Sequence, residues 1–201
     1  LIRSLGYERV KVICGVNIGF AKSFLTLLQQ APTDAEMVMF SDQDDVWFPH
    51  KIERAWSRLQ AVPSGPALYC SAQMLADESL NPLEATPPWP RPPSFVGALA
   101  ENIVTGCTAA LNPEAAKLLR EGGVPAQVHF HDWWMYLVIA AFGTRGSCRS
   151  QFRQHLAPSA DPALRVEKRL GRNHAGAGCR VAVPLWRTDE PGTTVDSFPP
   201  F

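Results

Sequence analysis

The 201-residue sequence lacks an excess of charge of either sign, because 19 lysines and arginines balance 19 aspartates and glutamates. There is therefore no basic surplus to attract nucleic-acid phosphates, and no polybasic segment to hold the chain at an anionic membrane. Long apolar runs are also missing. The longest, residues 133–142, is too short to cross a bilayer and predicts a buried helix. No signal peptide is recognisable.

The sequence also lacks closely spaced cysteine pairs. The five cysteines are an odd number, lie far apart and form no Cys-x-x-Cys pair. This pattern argues against a disulfide framework or a zinc ribbon and favours a reducing compartment, which we take to be the cytoplasm. With 46% hydrophobic and 19% charged residues, the composition is that of a globular protein with a sizeable core.

Apolar runs and segments of helical period alternate along the chain, which predicts an α/β fold around a mixed, mainly parallel sheet. The predicted strands are 10–14, 37–40, 67–71, 103–108 and 147–152. The predicted helices are 18–30, a helix beginning at 49, 113–120 and 133–142. Six prolines within 81–94 predict a loop that is either a spacer or part of an acceptor-binding side.

The residue composition of the chain changes after His155. Residues 1–155 are interpreted as one α/β domain, whereas 156–201 are interpreted as a tail with a short helix near 163–170 and otherwise poor order. Because the sequence opens on Leu1 and runs almost directly into a strand pattern, we expect that further residues precede it in the natural protein.

Three carboxylates follow the apolar run 37–40, at Asp42, Asp44 and Asp45. Ligands bind at the carboxyl ends of strands in open α/β sheets, and oxygen ligands suit Mg²⁺ or Mn²⁺ held together with a phosphate-bearing substrate. The alternative is that these aspartates cap the helix beginning near Pro49, although capping accounts for one aspartate rather than three.

A second polar group precedes the helix 133–142. Asp132 is either the N-cap of that helix or a catalytic carboxylate. Trp133 and Trp134 cannot both lie on one helical face, so one is expected in the core and the other available for stacking on a sugar or base. His155, after the last predicted strand, is either structural or an imidazole completing a carboxylate metal site.

Taken together, these residues resemble bacterial family 2 glycosyltransferases, and most nearly the rhamnosyltransferase-like members that build surface polysaccharides. The resemblance covers about residues 10–155 and depends on the order of the motifs. They are Asn17-Ile18-Gly19-Phe20, Ser41-Asp42-Gln43-Asp44-Asp45-Val46-Trp47, Pro49, Lys51-Ile52, Val104-Thr105-Gly106-Cys107-Thr108, His131-Asp132-Trp133-Trp134 and Arg153-Gln154-His155.

The resemblance implies a GT-A α/β/α sandwich and inverting transfer from a nucleotide-diphosphate sugar to a glycan or lipid-linked acceptor, at the inner face of the cell membrane. It implies that Asp132 is the catalytic base. The residues it implies for the donor site are Asn17, Gly19, Asp42, Asp44 and Asp45. Those it implies as ligands of Mg²⁺ or Mn²⁺ are Asp42, Asp44 and His155. Those it implies on the acceptor side are Gly106, His131, Trp133 and Trp134.

The family's first strand, its Thr-Tyr-Asn-like turn and its Asp-Asp-Gly-Ser segment have no counterpart here, which implies a domain truncated at its N-terminus. Two other functions therefore stay open at this stage. One is a non-catalytic remnant that binds carbohydrate or a partner. The other is a metal-dependent phosphohydrolase that uses the same carboxylates and an activated water.

Overall fold

The computed structural model describes residues 11–42, 45–77, 79–87 and 92–143. Within these residues the chain forms five α-helices and five short strands. The helices are α1 (Phe20–Gln29), α2 (Lys51–Gln60), α3 (Phe95–Ala100), α4 (Pro113–Glu121) and α5 (His131–Phe142). The strands are β1 (Val38–Met39), β2 (Leu68–Tyr69), β3 (Met74–Ala76), β4 (Pro82–Ala85) and β5 (Ala110–Leu111).

The central sheet has the order β1–β5–β2, and both of its pairings are antiparallel. The predicted predominance of parallel pairing is therefore wrong for the described strands. The reason is β5, which the sequence did not predict and which lies between the other two, with Leu111 opposite both Val38 and Leu68. Since β5 opposes each neighbour, β1 and β2 run in the same direction on either side of it.

The two faces of this sheet carry different layers, because successive strand residues point to opposite sides. On one face Val38, Leu68 and Leu111 join a core built with α1, α4 and α5. On the other, Tyr69 and Ala110 pack with Ala55 and Leu59 of α2. The fold is thus α/β with helices on both faces of a small sheet, and the structure does not establish the full GT-A sandwich.

Four predicted helices are confirmed as α1, α2, α4 and α5, with α5 beginning two residues earlier than expected. The strands expected at 37–40 and 67–71 are confirmed as β1 and β2. The strand expected at 103–108 is wrong, because 106–108 form a 3₁₀ turn there. Residues 11–14 are not in a strand, while 147–155 and the tail 156–201 lie outside the described residues.

The proline-rich loop expected at 81–94 is partly a hairpin, since β4 pairs with β3 in a separate two-stranded sheet. Asp77 holds the connection by accepting hydrogen bonds from the backbone N–H groups of Ser79 and Asn81 and from the Asn81 amide. The same bonds, the Asn81 amide first, lower the pKa of Asp77. No described helix is long and apolar enough to cross a membrane.

We expect Asn112 to be a major contributor to stability, because its buried side chain joins α4 to the start of β2. Its Oδ1 accepts from the N–H groups of Ala115 and Ala67, both at 2.9 Å, and its Nδ2 donates to the Gly65 carbonyl at 2.8 Å. Asn112→Ala should lower the free energy of unfolding by about 2–4 kcal/mol, measured by urea denaturation.

The matched control is Ser94→Ala, since Ser94 caps α3 through a single bond from the Gly97 N–H. That loss should be about 1 kcal/mol. Equal losses for the two variants would show that Asn112 acts only as a helix cap.

Candidate functional site

The site is built around the 3₁₀ turn Gly106–Thr108, whose three residues are buried. Thr105 closes this turn, because its carbonyl accepts from both the N–H and the Oγ1 of Thr108, at 2.9 and 2.7 Å. The turn leads directly into β5, the middle strand of the sheet. The turn therefore lies at the N-terminal end of the middle strand, where side chains from α2, α5 and the segment after β1 approach it.

Asp132 approaches this turn from the first turn of α5. Its Oδ2 accepts from the Gly106 N–H at 3.0 Å, and its Oδ1 accepts from Nδ2 of Asn102 at 3.1 Å and from the Trp133 N–H at 2.7 Å. The N-cap of α5 is Phe130, so the predicted capping position of Asp132 is wrong by two residues. Three donors fix the carboxylate, and an ionised carboxylate has room for about four, so it can still accept a proton or hydrogen bond.

Asn102 is a residue of this site that sequence reasoning missed. Its side chain is half-buried, donates to Asp132 and accepts at Oδ1 from the Val104 N–H at 3.0 Å. The available signal was its place two residues before the motif that begins at Val104. A lone asparagine has no periodicity to distinguish it, and its partner lies 30 residues away along the chain.

His131 is 5% exposed, and its imidazole lies among aromatic side chains, of which Phe24 and Phe40 belong to the core. The ring stacks on Phe24 with centroids 4.2 Å apart, and Phe40 and Phe20 flank it at 5.7 and 6.2 Å. Neither ring nitrogen has a hydrogen-bond partner among the described residues. Burial lowers the pKa of His131 to about 4, although the neighbouring Asp132 charge works in the opposite direction. The ring is therefore neutral at physiological pH.

The imidazole of His131 leaves no room for a side chain at position 106. A Cβ at position 106 would lie 2.8 Å from Cε1 of His131 and still closer to Nε2. The two residues expected on the acceptor side, Gly106 and His131, are thus in direct contact with each other. The Gly106 N–H also donates to the carboxylate of the residue that follows His131, Asp132.

Asp42 and Asp45 come close to the same turn from the segment that follows β1. Their carboxylate oxygens and Sγ of Cys107 all lie within 4.8 Å of one another. Cys107 is 2% exposed, and Nε2 of Gln73 lies 3.5 Å from its sulfur. The carboxylates fit a hard divalent cation such as Mg²⁺ or Mn²⁺, whereas the thiol does not, so the two aspartates are the fitting part of this group. Asp44 and His155, the other predicted ligands, lie outside the described residues.

Lys51 brings a positive charge to the turn from the first residue of α2. It is 6% exposed, and its Nζ donates to the Cys107 carbonyl at 2.7 Å and lies 3.8 Å from the centroid of the Trp47 ring. A buried ammonium needs such partners because desolvating a charge is costly. Its nearness to Cys107 places it beside the group formed with Asp42 and Asp45.

The remaining predicted residues lie at the starts of helices. Asn17 is exposed, and its Oδ1 accepts from the N–H of Gly19, which has a φ of 82° immediately before α1. Trp133 and Trp134 are both half-buried and pack against the main core. The Trp133 indole donates to the Ala98 carbonyl at 2.6 Å, so it joins α5 to α3. Neither tryptophan is fully in the core, and a stacking role for either stays a prediction.

The buried His131 should make stability depend on pH. Above pH 6.5 the imidazole is neutral in both states, but as pH falls toward 4 the unfolded chain binds a proton that the folded protein excludes. The free energy of unfolding should therefore fall as the pH drops below 6.5, by on the order of 3 kcal/mol once the pH reaches 4 and by about 2 kcal/mol between pH 7 and pH 5. Urea denaturation at pH 7 and pH 5 measures the second of these losses.

His131→Phe should remove most of this acid sensitivity, because phenylalanine suits the aromatic surroundings and does not titrate. The control is His129→Gln, which changes an exposed histidine of the same segment and should keep the wild-type pH dependence. An unchanged pH dependence in His131→Phe would show that other groups cause it.

Gly106→Ala should lower the free energy of unfolding by about 2–4 kcal/mol, because the new methyl group meets the imidazole ring in a close-packed site. Gly15→Ala is the matched control, since a Cβ there meets nothing within 4 Å and the residue has no positive φ. Thermal unfolding of both variants measures the difference. A Gly106→Ala protein as stable as Gly15→Ala would contradict the contact between Gly106 and His131.

No protein-family model matches this chain, and no curated protein and no solved structure is significantly similar to it.

Proposed function

We propose that this chain carries the metal-binding and base-bearing part of an inverting glycosyltransferase of the rhamnosyltransferase-like type. In this reaction a sugar passes from a nucleotide-diphosphate donor to a hydroxyl of a polysaccharide or lipid-linked acceptor. The observation that supports it best is the turn Gly106–Thr108. Its Gly106 N–H donates to Asp132, and Sγ of its Cys107 lies within 4.8 Å of carboxylate oxygens of Asp42 and Asp45. A base and a candidate phosphate-metal site are thus anchored on adjacent residues.

The role proposed for Asp132 is that of general base. The acceptor hydroxyl must lose its proton as it attacks the anomeric carbon, and a positioned carboxylate is suited to take it. Its bonds to Asn102, Gly106 and Trp133 hold it in one orientation before the substrate arrives. A single displacement of this kind inverts the anomeric centre and needs no covalent enzyme intermediate, unlike the retaining glycosidases.

The diphosphate leaving group would be bound on the other side of the turn. We propose that Asp42 and Asp44 hold Mg²⁺ or Mn²⁺, with Asp45 alongside and His155 as a further ligand. When bound, the cation supplies positive charge that stabilises the departing diphosphate. Lys51 is buried next to Cys107 and adds a fixed positive charge to this side of the turn. Asn17 and Gly19 remain proposed contacts of the donor nucleotide.

The proposed reaction also implies a cellular location. Nucleotide-sugar donors and lipid-linked acceptors meet at the inner face of the cell membrane, so we place the protein in the cytoplasm at that face. The three described cysteines, Cys14, Cys70 and Cys107, are free thiols, which suits a reducing compartment.

The test is Asp132→Asn in the full chain, with a nucleotide-sugar donor, Mn²⁺ and an acceptor glycan. The amide cannot accept a proton at neutral pH, so transfer should fall by roughly 10²–10⁴-fold while binding of the nucleoside diphosphate barely changes. Product analysis follows transfer, and calorimetry follows binding. The control is Asp77→Asn, which also removes a carboxylate that accepts backbone N–H bonds, but on the β3–β4 hairpin.

Each alternative function has its own outcome in this experiment. Hydrolysis of the donor that is indifferent to acceptor would favour the phosphohydrolase. Glycan binding without turnover in the wild-type protein would favour the non-catalytic remnant. Unchanged transfer in Asp132→Asn would leave Asp132 with a structural role only.

A further inference from the structure

Asn102 stands out among the groups around Asp132, because it is a side-chain donor to that carboxylate and no sequence motif drew attention to it. It follows the end of α3 and precedes the 3₁₀ turn, so it spans the gap between two fixed elements. Its Nδ2 donates to Oδ1 of Asp132 at 3.1 Å, and its own Oδ1 accepts from the Val104 N–H at 3.0 Å.

The orientation of the Asn102 amide is set by the backbone. Because the Val104 N–H can only donate, it must face the amide oxygen, and the NH₂ group is then directed to Asp132. An amide pinned in this way gives Asp132 a donor that does not rotate away. The carboxylate is consequently gripped at both oxygens, by Asn102 at Oδ1 and by the Gly106 N–H at Oδ2.

The chain contains the same arrangement at a second place. On the β3–β4 hairpin, Nδ2 of Asn81 donates to Oδ2 of Asp77 at 2.9 Å. This second pair lies outside the candidate site, so it supplies a matched control for substitutions at Asn102.

We propose that Asn102 is a positioning residue that holds the carboxylate of Asp132 in a single orientation for proton transfer. The inference rests on the proposed role of Asp132 as base. Asn102 acts through Asp132 and needs no contact with substrate. Its removal should therefore change kcat and the pH dependence of transfer and leave donor binding nearly unchanged.

Asn102→Asp is the most direct test. The new carboxylate can still accept from the Val104 N–H, so the local turn is kept, but it places negative charge against Asp132 in place of a donor. We expect kcat to fall roughly 10–100-fold with KM for the donor changed less than about threefold. The acidic limb of the pH–rate profile should move up by about one pH unit, because a neighbouring like charge favours protonation.

Two further variants make the result specific. Asn102→Ser retains an acceptor for the Val104 N–H but is too short to reach Asp132, so it should lower kcat about tenfold without adding charge. Asn81→Asp makes the same chemical change beside Asp77 and should leave both kcat and the pH profile at wild-type values. Thermal unfolding of all three variants separates local effects from loss of the fold.

The outcomes distinguish this inference from the proposed function. Wild-type kcat and pH profile in Asn102→Asp and Asn102→Ser, with transfer abolished in Asp132→Asn, would overturn the role of Asn102 alone. Full transfer in Asp132→Asn would overturn the base itself. Independently of turnover, ¹³C NMR of labelled aspartate should show the Asp132 carboxyl resonance displaced in Asn102→Asp and Asn102→Ser and unchanged in Asn81→Asp, because only the first two variants remove the hydrogen bond to Oδ1 of Asp132. An unchanged Asp132 resonance in both Asn102 variants would overturn the inference even in a protein that transfers no sugar.

Discussion

The hydrogen bond from the Gly106 N–H to Asp132 is the contact on which the rest of the site depends. It joins the start of α5 to the turn that feeds the middle strand of the sheet. That turn also presents the Cys107 carbonyl to Lys51 and the Cys107 sulfur to the aspartates after β1. A side chain at position 106 would meet the His131 ring, so the close approach of α5 to the turn requires a glycine there.

This arrangement places polar groups where they are costly. His131 is neutral and has no hydrogen-bond partner among the described residues, and Lys51 is charged and nearly buried. Both would be replaced by apolar residues if stability alone were at stake. His131 directly precedes Asp132, and Lys51 donates to the Cys107 carbonyl, so both polar groups lie around the turn Gly106–Thr108.

The helices could be predicted from the sequence because each carries its own period of apolar residues, as in α1 and α4. The sheet could not be, since β5 is two small or apolar residues long and pairs with strands far away in the chain. The β-branched run before Gly106 predicts a strand, but the imidazole of His131 confines that glycine and the 3₁₀ turn forms instead. Tertiary contacts therefore overrode local propensity.

The site shows the same division. Asp42, Asp44, Asp45 and Asp132 are candidates from the sequence alone, because carboxylates that directly follow an apolar strand or precede an apolar helix are costly unless they bind something or cap a helix. Asn102, Lys51 and Cys107 join them only through contacts made across the fold, and a single sequence records no such contact. Burial of His131, too, depends on Phe24 and Phe40 from elements distant in the chain.

The position of β5 in the chain has a consequence for biosynthesis. Both β1 and β2 find their hydrogen-bond partner in the described sheet only at Ala110–Leu111, which the ribosome makes last of the three. Until then these two strands lack the partner that satisfies their backbones in the described sheet. Such edges invite pairing with other chains. Folding of the described sheet must therefore wait for a non-local contact, and pairing with other chains is a hazard until that contact forms.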